Sequence, residues 1–180
     1  MMTRMTDAAP ATLEGARQRV SQDILSGTTA LAALGHFAGY VDRETCRLAA
    51  GGSPLSAALV ALGGYGRRHL CPYSDIDLLI VFGGAIGAPE ERFLRELLHP
   101  LWDAGFVVGH QVREVAELAE PETGNPEFLV ALTDARFIAG DEALFARVEA
   151  ALRAPRTRAL TLGALSALID ARYATFSGTL

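Results

Sequence analysis

The chain has 180 residues, half of them hydrophobic, and a formal net charge of −5. That length and composition allow one domain with a substantial core, and the acidic balance argues against holding nucleic acid through a general basic field. All 16 cationic side chains are arginine, which excludes a Walker-type phosphate lysine, a Schiff base and a lysine nucleophile.

In chain order, residues 1–11 read as a loose start without a signal-peptide apolar core. Thr12 caps a helix predicted to run to Ser26, with Leu13, Ala16, Val20 and Ile24 at helical spacing, and Gly27 breaks it. Thr28 or Thr29 caps a second helix to Ala50, ended by Gly51-Gly52-Ser53-Pro54. Residues 55–62 form a strand that is apolar on both faces, and therefore central. Gly63-Gly64 ends it, a polar loop follows, and Asp75-Ile76-Asp77 opens a second apolar run to Phe82. Pro89, Glu90 and Glu91 suit a helix start. Its stripe is Phe93, Leu94, Leu97, Leu98, Leu101 and Trp102; Pro100 should bend it and Gly105 should end it.

A third strand is predicted over 106–112, a short helix over 115–118 and a loop over 121–126. Residues 128–132 start a helix that ends near 134–136, and Asp141 caps the next, through Leu152. Residues 153–158 read as a basic linker, and 161–176 as a last helix. The longest apolar runs are strand-sized, so no transmembrane helix is expected. Two separated thiols, Cys46 and Cys71, make neither a disulfide framework nor a zinc site, and the default location is cytoplasmic. The order implies a small mixed sheet with helices against it, an α/β or α+β layout. The domain reading is a helical segment over 1–52, a core over 53–150, and a following helical region, truncated, over 151–180.

Chemistry concentrates in the central stretch. On a strand, residues two apart share a face, so Asp75 and Asp77 project together while Ile76 turns into the core. Paired carboxylates at a buried strand edge call for a cation. Mg²⁺ fits, because it takes hard oxygen ligands and bridges phosphates. Gly63 and Gly64 let phosphate oxygens approach the backbone, and a short helix opening there offers free N–H groups. Ser74 stands beside Asp75 to donate to a phosphate, and Arg67 and Arg68 are the nearest guanidiniums. The reaction these groups support is nucleotidyl transfer from a nucleoside triphosphate. One metal neutralises the leaving pyrophosphate and another activates the attacking hydroxyl. A dinucleotide fingerprint fails because His69 holds the place of its third glycine.

Asp134 is the candidate third carboxylate, ahead of Asp103 and Glu114. His110, Trp102 and Phe106 read as core, and Arg68 and His69 as solvent-facing. Tyr65 and Tyr73 flank the loop, either stacking on a base or packing. His36 and His99 have no evident partners, and Cys71 reads as inert.

Gly63-Gly64 followed by Asp75-Ile76-Asp77 on the next strand resembles the DNA polymerase beta-like nucleotidyltransferase superfamily. A narrower likeness is carried by Gly63-Gly64-Tyr65-Gly66-Arg67 together with Leu70-Cys71-Pro72-Tyr73-Ser74-Asp75-Ile76-Asp77-Leu78-Leu79. These residues are similar to the N-terminal region of the bifunctional uridylyltransferase/uridylyl-removing family. So are Pro100-Leu101-Trp102-Asp103-Ala104-Gly105, Val108-Gly109-His110-Gln111-Val112-Arg113, and 131–141. The likeness spans about 55–150.

The resemblance implies a nucleotidyltransferase fold and transfer of UMP from UTP to a tyrosine of a P-II-type signalling protein, with Mg²⁺. It implies Gly63, Gly64 and Ser74 at the triphosphate and Asp75 and Asp77 at the metals; the acidic balance and the strand-sized apolar runs add the expectation of no nucleic-acid and no membrane partner. Arg68-His69 stands where the family usually has Gly-Glu; if that glycine needs positive φ, Arg68 is expected to strain the loop. The family's HD-type metal domain and ACT domains have no counterpart here, so the chain reads as an N-terminal portion. The alternatives are adenylyl transfer to another protein or small acceptor, and a nucleotide-binding regulatory module without catalysis.

Overall fold

A computed structural model of the chain describes residues 10–51, 56–119 and 124–177. The predicted break at 52–54, Leu55 and the first half of the 121–126 loop lie outside them, as do residues 1–9.

The two apolar runs of the central stretch become strands β1 (Ala57–Ala61) and β2 (Ile76–Phe82), paired antiparallel with Ala57 opposite Phe82 and Ala61 opposite Leu78. Strand β3 (Val108–Glu114) lies parallel to β2, with Gly109 beside Asp77, and β4 (Arg136–Gly140) lies antiparallel to β1. The order is β3-β2-β1-β4, a mixed four-stranded sheet. Alternation then sorts side chains into two layers. Leu59, Ile76, Leu78 and Ile80 join one buried cluster, while Ala58, Val60, Leu79 and Val81 join the other. Both faces are covered, which is why the central strands are apolar but for Asp77 near the start of β2.

The first layer holds α1 (Leu13–Leu25), α2 (Ala30–Ala50) and α4 (Ala88–Asp103). The second holds α5 (Pro126–Ala131), α6 (Glu142–Arg153) and α7 (Pro155–Ser177), while α3 (Gly63–Gly66) is a single turn between β1 and β2. Caps fix the starts, as their residue types predict. Thr12 Oγ1 accepts from the Gly15 N–H at 3.1 Å, Thr29 from Ala32 at 3.3 Å and Asp141 from Leu144 at 3.0 Å. Glu90 accepts from the Gly87 N–H at 2.9 Å ahead of α4. Among the described residues, no helix is long and apolar enough to cross a membrane.

Four expectations are corrected. Residues 136–140, assigned no strand between the helix ending near 134–136 and the one capped by Asp141, form β4, because α5 closes in a tight turn at 132–134 and the chain then enters the free edge of β1. There is no basic linker at 153–158: α6 ends at Arg153, α7 starts at Pro155, and Thr157 is buried. Proline at a helix start is compatible with continuing the chain as helix. Trp102 lies off the buried stripe of α4 and is 42% exposed, packing on His99 and on His110, which is itself exposed on edge strand β3. His36 does have a partner, since its Nδ1 meets Asp23 Oδ2 at 2.8 Å.

Candidate active site

Asp77 shares its parity with Leu79 and Val81, so its carboxylate stands at the open end of the second layer, while Ile76 is buried in the first. The backbone ties this end of β2 to the turn after β1, because Leu62 N–H donates to the Asp77 carbonyl at 3.0 Å. Two glycines then make room. A Cβ on Gly63 would stand 3.4 Å from Asp77 Oδ2, and one on Gly109 would stand 2.8 Å from Oδ1. The second distance is closer than real Cβ contacts allow, so a side chain at 109 would push the carboxylate from where it stands. Asp75 precedes β2 and is exposed beside it. Burial, and then the Asp75 charge, hold the Asp77 carboxyl above its ordinary range.

Asp77, Gly109, Gln111, Asn125, Glu127 and Phe128 line a cleft of about 270 Å³. Two wider clefts lie elsewhere, one among α5, α6 and α7 and one between α1 and α2. The cleft at Asp77 is nonetheless the one that holds a predicted carboxylate, and it reaches Leu62, the residue before the glycine turn.

That turn is α3, whose first N–H groups have no intrahelical partners. Gly66 closes it tightly: a side chain there would run into the Asp134 carbonyl. From behind, Arg136 of β4 donates to the Gly66 carbonyl at 3.1 Å and the Tyr65 carbonyl at 3.2 Å. The same guanidinium grips both oxygens of Asp42 on α2, at 3.0 and 3.1 Å, and lies over the Tyr65 ring. Tyr65 is buried, not stacked for a base, and burial together with the Asp42 carboxylate pushes its phenol far above the ordinary range. It remains protonated and is unsuited to act as a base.

The other predicted residues separate. Arg67 pairs with Asp134, so the structure spends Asp134 on a guanidinium at the exit of the turn. Ser74 donates its hydroxyl to the Cys71 carbonyl at 3.0 Å, within the loop leading to Asp75. Tyr73 is exposed under the Arg17 guanidinium. Glu114 pairs with Phe82 at the far end of β2, five residues from the Asp77 level, or roughly 16 Å along the strand. Arg68 has φ +61°, the positive value expected of a glycine-preferring position, and both Arg68 and His69 are exposed.

Sequence reasoning missed Gly109, Gln111, Glu127 and Arg136. Only Gly109, a glycine inside a strand, carried a signal. Among the described residues, no group of three or more metal-ligating side chains occurs. The candidate donors are Asp77 in the cleft and Asp75, whose charge acts on it from the residue before β2. That set suits Mg²⁺, which keeps several waters and is commonly bound by one or two carboxylates with substrate phosphates completing its shell.

No family model matches the chain. It is 36% identical over 138 residues to a bifunctional uridylyltransferase/uridylyl-removing enzyme of Nitrosococcus oceani, covering 75% of this chain and 16% of that enzyme. It is 40% identical over 101 residues to the enzyme of that name in Bordetella avium (56% of this chain, 12% of that enzyme). In Pseudomonas putida the match is 44% over 97 residues (54% and 11%). The chain thus spans about a sixth or less of the length of these relatives.

Proposed function

We propose that this chain, homologous over most of its length to one part of the bifunctional uridylyltransferase/uridylyl-removing enzymes, is a nucleotidyltransferase domain that moves UMP from UTP to a tyrosine hydroxyl of a P-II-type protein. One observation carries the reading. A Cβ on Gly63, at the first turn of α3, would stand 3.4 Å from Asp77 Oδ2, so the carboxylate proposed to hold metal is a neighbour of the turn proposed to hold phosphate.

In this reading Gly63 and Gly64 present backbone N–H groups to the triphosphate, with no side chain to hold its oxygens away. Asp75 and Asp77 hold Mg²⁺, and the mutual repulsion of two carboxylates favours taking up a cation. When bound, the metal supplies charge neutralisation at the pyrophosphate and a lowered pKa for the attacking hydroxyl. Arg67 meets the triphosphate already paired with Asp134, which fixes its position at the cost of its free charge. Ser74 must turn its hydroxyl away from the Cys71 carbonyl to donate to a phosphate. The cleft at Gln111, Asn125 and Glu127 gives the acceptor tyrosine a polar approach to Asp77.

The test has two stages. Saturable, Mg²⁺-dependent UTP binding by the chain should be lost in Asp75→Asn and in Asp77→Asn; its absence from the parent chain would overturn the proposal. Incubation of the longer protein with UTP, Mg²⁺ and a P-II protein should place a UMP adduct on a tyrosine. An adduct formed with ATP alone would point to adenylyl transfer, and binding without turnover to a regulatory module.

A further inference from the structure

We propose that the cleft between α1 and α2 is a second anion site, one that takes a phosphate-class oxyanion. It encloses about 520 Å³ and shares no lining residue with the cleft at Asp77. In a chain of net charge −5 its lining is unusual, with Arg19, Arg43, Arg68 and His36 against one carboxylate, Asp23. Asp23 is buried, and its two oxygens are engaged, one with Arg19 Nε and one with His36 Nδ1, each at 2.8 Å. It positions two nitrogen-bearing groups at the rim of the cleft.

The other two cations, Arg43 of α2 and Arg68 of the loop after α3, line the same cleft. Gly35 and Gly39 lie one turn apart on α2, on the face that lines the cleft. The Arg68 carbonyl packs 3.9 Å from where a Cβ on Gly35 would stand, and an Arg43 guanidinium nitrogen lies 3.8 Å from the corresponding point on Gly39. Both distances are those of ordinary contact, so the two glycines keep this wall of the cleft low beside the Arg68 backbone and the Arg43 guanidinium. Arg43 has no carboxylate partner among the described residues. Arg68 touches Asp42 only at 3.4 Å, and Asp42 is already gripped on both oxygens by Arg136. Two guanidiniums are thus available to exchange weak or absent contacts for a multiply charged ligand. Guanidinium forks match phosphate oxygens two at a time, and a phosphoryl group offers oxygens to more than one fork. This also gives Arg68 a role on the α2 side of the loop, in a backbone conformation glycine would hold without strain.

The test is calorimetric titration of the chain, in EDTA, with inorganic pyrophosphate and separately with UTP, against sodium chloride at equal ionic strength. Saturable binding of pyrophosphate is expected, about tenfold weaker in Arg43→Gln and in Arg68→Gly, as one charge-assisted contact implies. Asp77→Asn should leave it unchanged. UTP binding equal to pyrophosphate would identify a free oxyanion site; tighter UTP binding that Arg43→Gln weakens would identify a nucleotide phosphate as the source. No saturation up to 10 mM ligand (a ceiling of about 2.7 kcal/mol), equal binding by both arginine variants and the parent, or loss of binding in Asp77→Asn would each overturn the site. Because the titration excludes metal, its failure leaves the Mg²⁺-dependent UTP reading standing, and the reverse also holds.

Discussion

Replacing Arg136 by methionine tests whether the turn at Gly63–Gly66 is held from behind. The change removes two hydrogen bonds to Asp42, at 3.0 and 3.1 Å, and two to the Tyr65 and Gly66 carbonyls, at 3.2 and 3.1 Å. Breaking a fully buried pair costs about 3–5 kcal/mol. Here the side chains keep 20% and 16% of their exposure, and Arg68 stands 3.4 Å from Asp42 as a substitute partner. The expected cost is therefore about 2–3 kcal/mol, which for a chain of this size lowers Tm by roughly 4–12 °C. Urea unfolding of Arg136→Met, Asp42→Asn and the double variant should give a coupling of about 1–2 kcal/mol. Arg136→Lys keeps the charge without the fork and should recover about half the loss. A cost under about 0.5 kcal/mol, or full recovery by lysine, would refute the clamp.

Three further outcomes follow from the same geometry. Gly109→Ala should weaken Mg²⁺-dependent UTP binding by at least about tenfold, since its Cβ lands 2.8 Å from Asp77 Oδ1 and small displacements of reacting groups are costly; unchanged affinity in a folded variant would detach Asp77 from the metal. Arg68→Gly should be more stable than Arg68→Ala by about 1 kcal/mol, because both lose the same ion pair and only the φ of +61° tells them apart. Asp77→Asn should raise Tm of the metal-free chain at neutral pH. The raised carboxyl pKa means the fold disfavours the ionised form, a penalty present above that pKa and absent below it. The gain should fade as pH falls from above the ordinary carboxylate range down into it, while Mg²⁺-dependent binding by the parent chain weakens over the same interval; a gain that persists at low pH would remove the electrostatic cause.

Local signals carried most of the architecture. Thr12, Thr29 and Asp141 cap the helices they were expected to cap. The paired apolar runs around the glycine turn gave β1 and β2, and period-two alternation placed Asp77 outward and Ile76 inward. Arg68 was singled out for its backbone, and it has positive φ. What failed was non-local. Residues 136–140 have no strand signal stronger than the helices on either side, and become β4 because the edge of β1 is open to them. Arg136 has nothing in its neighbourhood to mark it, since its partners lie 70, 71 and 94 residues away. Trp102 looked like core by periodicity, but α4 meets the sheet through Leu97, Leu98 and Leu101 and leaves the indole at the flank.

The clamp on the glycine turn also sets an order of events during synthesis. Gly66 leaves the ribosome 70 residues before the arginine that fastens it, a delay of roughly 4–14 s at ordinary elongation rates. Through that interval β1 and β2 can pair and the Leu62–Asp77 hydrogen bond can form, but the edge that β4 will occupy is open and the turn is not braced from behind. The most sequence-distinctive part of the site is therefore translated early and made rigid late, so a ribosome stalled before residue 136 has emerged would display the glycine turn and both aspartates without the clamp that fixes the turn.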